Sequence, residues 1–65
     1  MFSYSPLWKK LIDHNINKTQ LAEKSNISKG TLAKMSKNQY IDMSSLDKIC
    51  NALNCNIEDV IEHIK

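Results

Sequence analysis

The feature that most constrains this chain is the stretch Lys18 to Lys37, which has room for two short helices and almost nothing between them. Asn17 is a good cap for a helix over about Lys18 to Ser25, and Gln20 stands three residues on, where a capping box needs it. Leu21 and Ala22 are its inward residues. A further helix runs from about Ser28 to Met35 or Ser36, with Ile27, Leu32 and Met35 facing inward. Only Ser25-Asn26-Ile27 joins the pair. Helices joined so tightly must cross closely, and Ala22 is small enough to stand at the crossing. The turn needs a left-handed residue, and Asn26 tolerates that conformation best after glycine. These spacings together describe a helix-turn-helix.

Three more helices are predicted from periodicity and caps. The first runs from about Pro6 to His14, with Ser5 as cap and Pro6 at the first helical position. Leu7, Trp8, Leu11 and Ile12 form its apolar stripe, and Asn15 can end it. The fourth runs from about Met43 to Leu53, capped by Asp42, with Leu46, Ile49, Cys50 and Leu53 inward. The fifth runs from about Ile57 to Ile64, capped by Asn56, with Glu58 and Asp59 in its first turn. Its apolar face is Ile57, Val60, Ile61 and Ile64. The expectation is an all-α fold of five helices in one domain spanning residues 1–65.

Charge is distributed unevenly. Residues 18–40 carry five lysines against Glu23 alone, whereas residues 41–65 carry Lys48 and Lys65 against five acids. A basic middle beside an acidic tail suits a polyanion on one face only. The outer face of the third helix presents Ser28, Lys29, Gly30, Thr31, Ala33 and Lys34, all small or basic. Such a face can lie deep in a DNA major groove. Lys29 can donate to guanine, and Ala33 or the Thr31 methyl can touch a thymine methyl. Lys18, Thr19 and Gln20 open the second helix, where free backbone N–H groups can hold a phosphate. Lys37, Asn38 and Tyr40 in the next loop can hold another.

The stretches TQLAEKSNISKGTLAKMSKNQY and LDKICNALNCNIEDVIEHI resemble the Cro/CI-type, or xenobiotic response element, family of helix-turn-helix domains. The resemblance covers about residues 5–64 and is nearest to short single-domain members. It implies a five-helix lambda-repressor-like domain whose second and third helices bind duplex DNA and regulate transcription, often as dimers on palindromic operators. Carried over by position, Lys18, Thr19 and Gln20 match the phosphate-clamping start of the second helix. Ser28 to Thr31, Ala33 and Lys34 match the recognition surface, and Lys37 to Tyr40 the loop that meets the backbone. Asn26 replaces the turn glycine, Lys18 a frequent glutamine, and Gly30 a base-reading side chain. The chain has no arginine, the best bidentate guanine donor. Low intrinsic specificity and strongly salt-dependent binding are therefore expected.

The remaining features fit a cytoplasmic regulator without cofactor or metal. Cys50 and Cys55 match neither a redox nor a zinc spacing and are expected to be buried, reduced thiols. No Ser-His-Asp order with a glycine elbow and no glycine-rich phosphate loop is present, which argues against an enzyme. No signal-peptide pattern or membrane-length apolar run appears. His14 and His63 are expected at helix ends, Asp59 and Glu62 in solvent, and Trp8 in the core. No segment is expected to sense a ligand. The apolar surplus of the fifth helix, with Phe2 and Tyr4, suggests the seam of a C2 homodimer, which would set two recognition helices about 34 Å apart. The alternative is a protein-interaction module on the same fold, antitoxin-like or an anti-repressor partner.

Overall fold

A computed structural model describes residues 1–65. The chain runs through β1 (Phe2–Ser3), α1 (Ser5–Asp13), α2 (Lys18–Ser25), α3 (Lys29–Ser36), α4 (Met43–Leu53), a 3-10 turn (Ile57–Asp59) and β2 (Glu62–His63). It is mostly helical, with four α-helices where five were predicted.

Three helix starts follow from their caps. The N–H of Gln20 donates to Asn17 Oδ1 and that of Asn17 to Gln20 Oε1, both at 2.8 Å. Thr31 N–H donates to Ser28 Oγ at 3.1 Å. Asp42 accepts from the Ser45 N–H at 3.3 Å and from the Ser44 and Ser45 hydroxyls. These last bonds, Ser44 first, lower the Asp42 pKa from 3.8 to about 2. The start of α1 differs from expectation. Ser5 is its first residue, and Ser3 Oγ accepts the Ser5 N–H at 3.1 Å.

The helix ends share one device. Asn15, Asn26, Asn38 and Asn54 all have φ between 51° and 60° and close the four helices in order. A left-handed residue lets the last carbonyls be satisfied as the chain turns away. The single glycine, Gly30, serves no such turn, because it lies inside α3 without a positive φ.

The core gathers residues from the whole length. Leu7, Leu21, Met35, Ile49 and Val60 are fully enclosed, and α2 packs against α4. Tyr4 is buried too, and its hydroxyl donates to the Gln39 carbonyl at 2.6 Å. It is a core residue. Ile12, placed in the α1 stripe by sequence, is 76% exposed, because Leu7 and Leu11 alone carry the buried face of that helix. Cys50 and Cys55 are free thiols but half-buried. Burial is the main cause pushing both thiols up.

The fifth helix is the main correction. Beyond Val60 the chain extends, and β2 pairs antiparallel with β1, Phe2 opposite His63 and Ser3 opposite Glu62. Ile64 N–H donates to the Met1 carbonyl at 2.7 Å, and the Met1 amino group to the Ile64 carbonyl at 3.0 Å. The β-branched Ile57, Val60, Ile61 and Ile64 favour extended backbone, and β1 supplies the edge for it to pair with. Only Val60 is fully buried, while Ile57 and Ile64 stay about 40% exposed.

Candidate nucleic-acid interface

The α2–α3 unit is built as the spacing required. Ala22 is buried at the crossing, and Asn26 adopts φ 59°, ψ 38°. The Ile27 N–H then returns to the Ala22 carbonyl at 3.2 Å. With Ile27 buried and Leu32 packed on the core, α3 is fixed relative to α2. Between the two lies an open groove of about 580 Å³ whose lining includes Thr19, Glu23, Asn26, Lys29, Ala33 and Ser36.

This geometry agrees with the comparisons. The model of the Cro/C1-type HTH DNA-binding domain matches residues 6–65. The chain belongs to this family. It is also similar to a solved structure, the crystal structure of transcriptional regulator VanUg, Form II, at 43% identity and a TM-score of 0.93. The match covers 97% of this chain and 84% of that one. No curated protein matches the sequence. The family and its neighbour support DNA-binding regulation. No helix is long and apolar enough to cross a membrane.

Within this Cro/C1-type domain the expected contact residues separate into two kinds. Lys29, Gly30, Ala33 and Lys34 are exposed on α3, and Lys18, Thr19 and Gln20 on the first turn of α2. A methyl added at Gly30 would meet nothing closer than Ser28 Oγ at 3.7 Å, so packing does not demand glycine there. Its effect is to leave the face of α3 low. Other residues are already engaged within the fold. Ser28 caps α3, and its hydroxyl lies 3.0 Å from that of the half-buried Thr31. Gln20 Oε1 is held in the capping box, leaving its amide NH₂ to face outward.

The loop after α3 is likewise internally bonded. Lys37 N–H donates to the Ala33 and Lys34 carbonyls, Asn38 N–H to Met35 and Gln39 N–H to Lys34. Those three N–H groups are therefore not available to an anion. Tyr40 is 70% exposed, with its ring edge-on to Phe2 at 6.2 Å between centroids. Phe2 in turn contacts His63 at 5.1 Å. The structure thus places Tyr40 beside the terminal strands and Lys37 at the end of α3.

Three residues near the interface were missed from sequence. Glu23 lines the groove, one helical turn from Thr19. Ser36 also lines it, in the row Lys29, Ala33, Ser36, whose 4 and 3 spacing is the signal that could have revealed it. Trp8, expected in the core, is half-buried, and the Lys18 ammonium lies 4.4 Å from its ring centroid. No short-range pattern links positions 8 and 18.

Proposed function

We propose that this chain is a sequence-specific regulator, acting as a repressor, that docks α3 in the major groove of duplex DNA. The observation that carries the reading is the exposed, small and basic face of α3 beside the α2 groove. In this reading Lys29, Gly30, Ala33 and Lys34 meet base edges and the nearest phosphates, with Ser28 and Thr31 holding the helix start that approaches the groove. Lys18, Thr19 and Gln20 take one phosphate, and Lys37, Asn38 and the Tyr40 hydroxyl take another. In this reading the protein works in the cytoplasm. Lysines without arginine make the affinity mainly electrostatic, so it falls steeply with salt.

The test is retention of duplexes selected from a random pool, measured for the wild type and for Lys29→Ala with Lys34→Ala. Loss of retention with unchanged folding supports docking through α3. Unchanged retention would remove docking through α3, and no retention by the wild type would leave the protein-interaction module in its place.

We also propose that the domain acts as a homodimer, with a seam revised from the sequence reading. Tyr4 and Val60 belong to the core. The revised seam falls on an apolar groove of about 240 Å³ whose walls are Phe2, Tyr40, Ile41, Met43 and Ile61 together with the core residues Tyr4 and Leu46. Met43 is 76% exposed there. A monomeric mass in sedimentation at high micromolar concentration, with and without DNA, contradicts the dimer.

A further inference from the structure

We infer that Trp8, which lies on α1 and outside the helix-turn-helix, is a positioning residue for Lys18 as a phosphate ligand. An exposed lysine ordinarily samples many rotamers, because its ammonium is well hydrated on a flexible stem. Here two groups from different helices hold that ammonium. The Trp8 ring lies beneath it, 4.4 Å from the centroid, an ordinary cation–π distance. Ser36 Oγ, at the last residue of α3, accepts from it at 3.1 Å. One cation thereby bridges α1, the start of α2 and the end of α3.

The arrangement leaves binding capacity unused. An ammonium carries three N–H donors, and Ser36 takes one. The ring attracts the charge without neutralising it. Lys18 is exposed and sits at the first position of α2, where its own N–H and that of Thr19 have no intrahelical acceptor. The side-chain cation is therefore held beside backbone donors of the same helix end. A phosphate arriving there meets a lysine whose freedom is already restricted, so less freedom is lost on binding. The Ser36 bond also ties the start of α2 to the end of α3, across from the Asn26 turn that joins their other ends.

This inference rests on the DNA-binding reading, and one experiment separates the two. Retention of a mixed-sequence duplex by the full chain is measured by anisotropy across a salt series for four proteins. These are the wild type, Trp8→Leu, Lys18→Met and the double variant. Trp8→Leu is expected to weaken binding about two- to fivefold in the wild type and to change nothing in the Lys18→Met background. Lys18→Met should reduce the log-log salt slope by about 0.9, whereas Trp8→Leu, which keeps the charge, should leave it near the wild-type value.

Equal loss in both backgrounds, or no loss in either, overturns the positioning role. Trp8 is the sole tryptophan, so emission from the free protein reports on this ring alone. Lys18→Met must shift that emission, and an unchanged spectrum also overturns the proposal. Trp8→Phe, which keeps a ring face, should retain most of the affinity and serves if the leucine variant fails to fold. If the wild type retains no duplex, the proposed function falls and this inference with it. If it retains duplex without the coupling, only the inference falls.

Discussion

The α2–α3 unit and the C-terminal segment from Asn56 onward obey different rules. In the first, each helix boundary is set by a residue one to three positions away. Asn17 and Gln20 start α2, Asn26 ends it and Ser28 starts α3. In the second, the local signals are much the same. Asn56 precedes a turn, and its N–H donates to the Asp59 carboxylate at 3.1 Å. Apolar residues follow at helical spacing. Yet only one 3-10 turn forms before the chain extends to pair with Phe2 and Ser3, some sixty residues away. A helix is self-contained and can be settled by its own caps. A strand exists only where a partner edge is supplied, and local sequence does not state where that edge is.

The largest expected effect comes from attacking the tertiary support that both regions share. A domain of this size has a net stability of roughly 3–10 kcal/mol. Leu21 is fully buried on α2, and Leu21→Ala should cost about 2–5 kcal/mol, a large share of the total. Urea denaturation would show it as a lower midpoint at little-changed slope. A loss below about 1 kcal/mol would mean that the helix-turn-helix stands without its core anchor.

The turn itself comes next. Asn26→Val places a β-branched side chain at φ 59° and should cost about 1–2 kcal/mol, whereas Asn26→Gly should be tolerated within a few tenths. The same denaturation measurement applies. Equal effects of Val and Gly would remove the left-handed turn as the local determinant of α2–α3.

Tyr4→Phe tests how the N-terminal arm is held. It deletes the 2.6 Å bond to the Gln39 carbonyl while keeping the buried ring, and about 1 kcal/mol should be lost. Amide exchange would locate the loss in the loop after α3 and at β1. Exchange altered only in α2 would contradict the assignment.

A smaller, pH-dependent effect separates local caps from paired strands. The Asp42 carboxyl titrates at about 2 in the fold instead of its ordinary 3.8. A depressed folded-state pKa contributes stability above the ordinary value, and that contribution is lost as pH falls from about 4 to about 2. Asp42→Asn should flatten the stability–pH curve in that window and leave it parallel to the wild type above pH 5. The smallest effect concerns β2. Glu62→Ala with His63→Ala raises local helix propensity, but helicity by circular dichroism should stay constant and stability change by no more than about 0.5 kcal/mol. A gain in helicity would show that the strand is weakly held.

Legibility followed the same division. The bounds of α2 and α4, their caps Asn17 and Asp42, and the role of Asn26 could all be read directly, because each depends on neighbours within four positions. So could the exposure of Gly30 and Lys34, since helical spacing puts them almost opposite Leu32, with Ala33 flanking them. The engagement of Ser28, Gln20 and Thr31 within the fold was only half legible, because a cap and a DNA contact ask for the same small polar side chains. Trp8 and Ser36 were not read as part of the interface, because their meeting with Lys18 depends on how three helices pack.

The amino-acid sequence by itself determined that this protein contains a helix-turn-helix with a basic outer face. Capping, turn conformation and helical periodicity are short-range effects that survive in any context that lets the helices form. Only the tertiary structure decided that the last residues become a strand and that Tyr4 enters the core. It also decided that Lys18 rests between Trp8 and Ser36. Each of these depends on surfaces brought together from distant parts of the chain, where burial and pairing outweigh local preference.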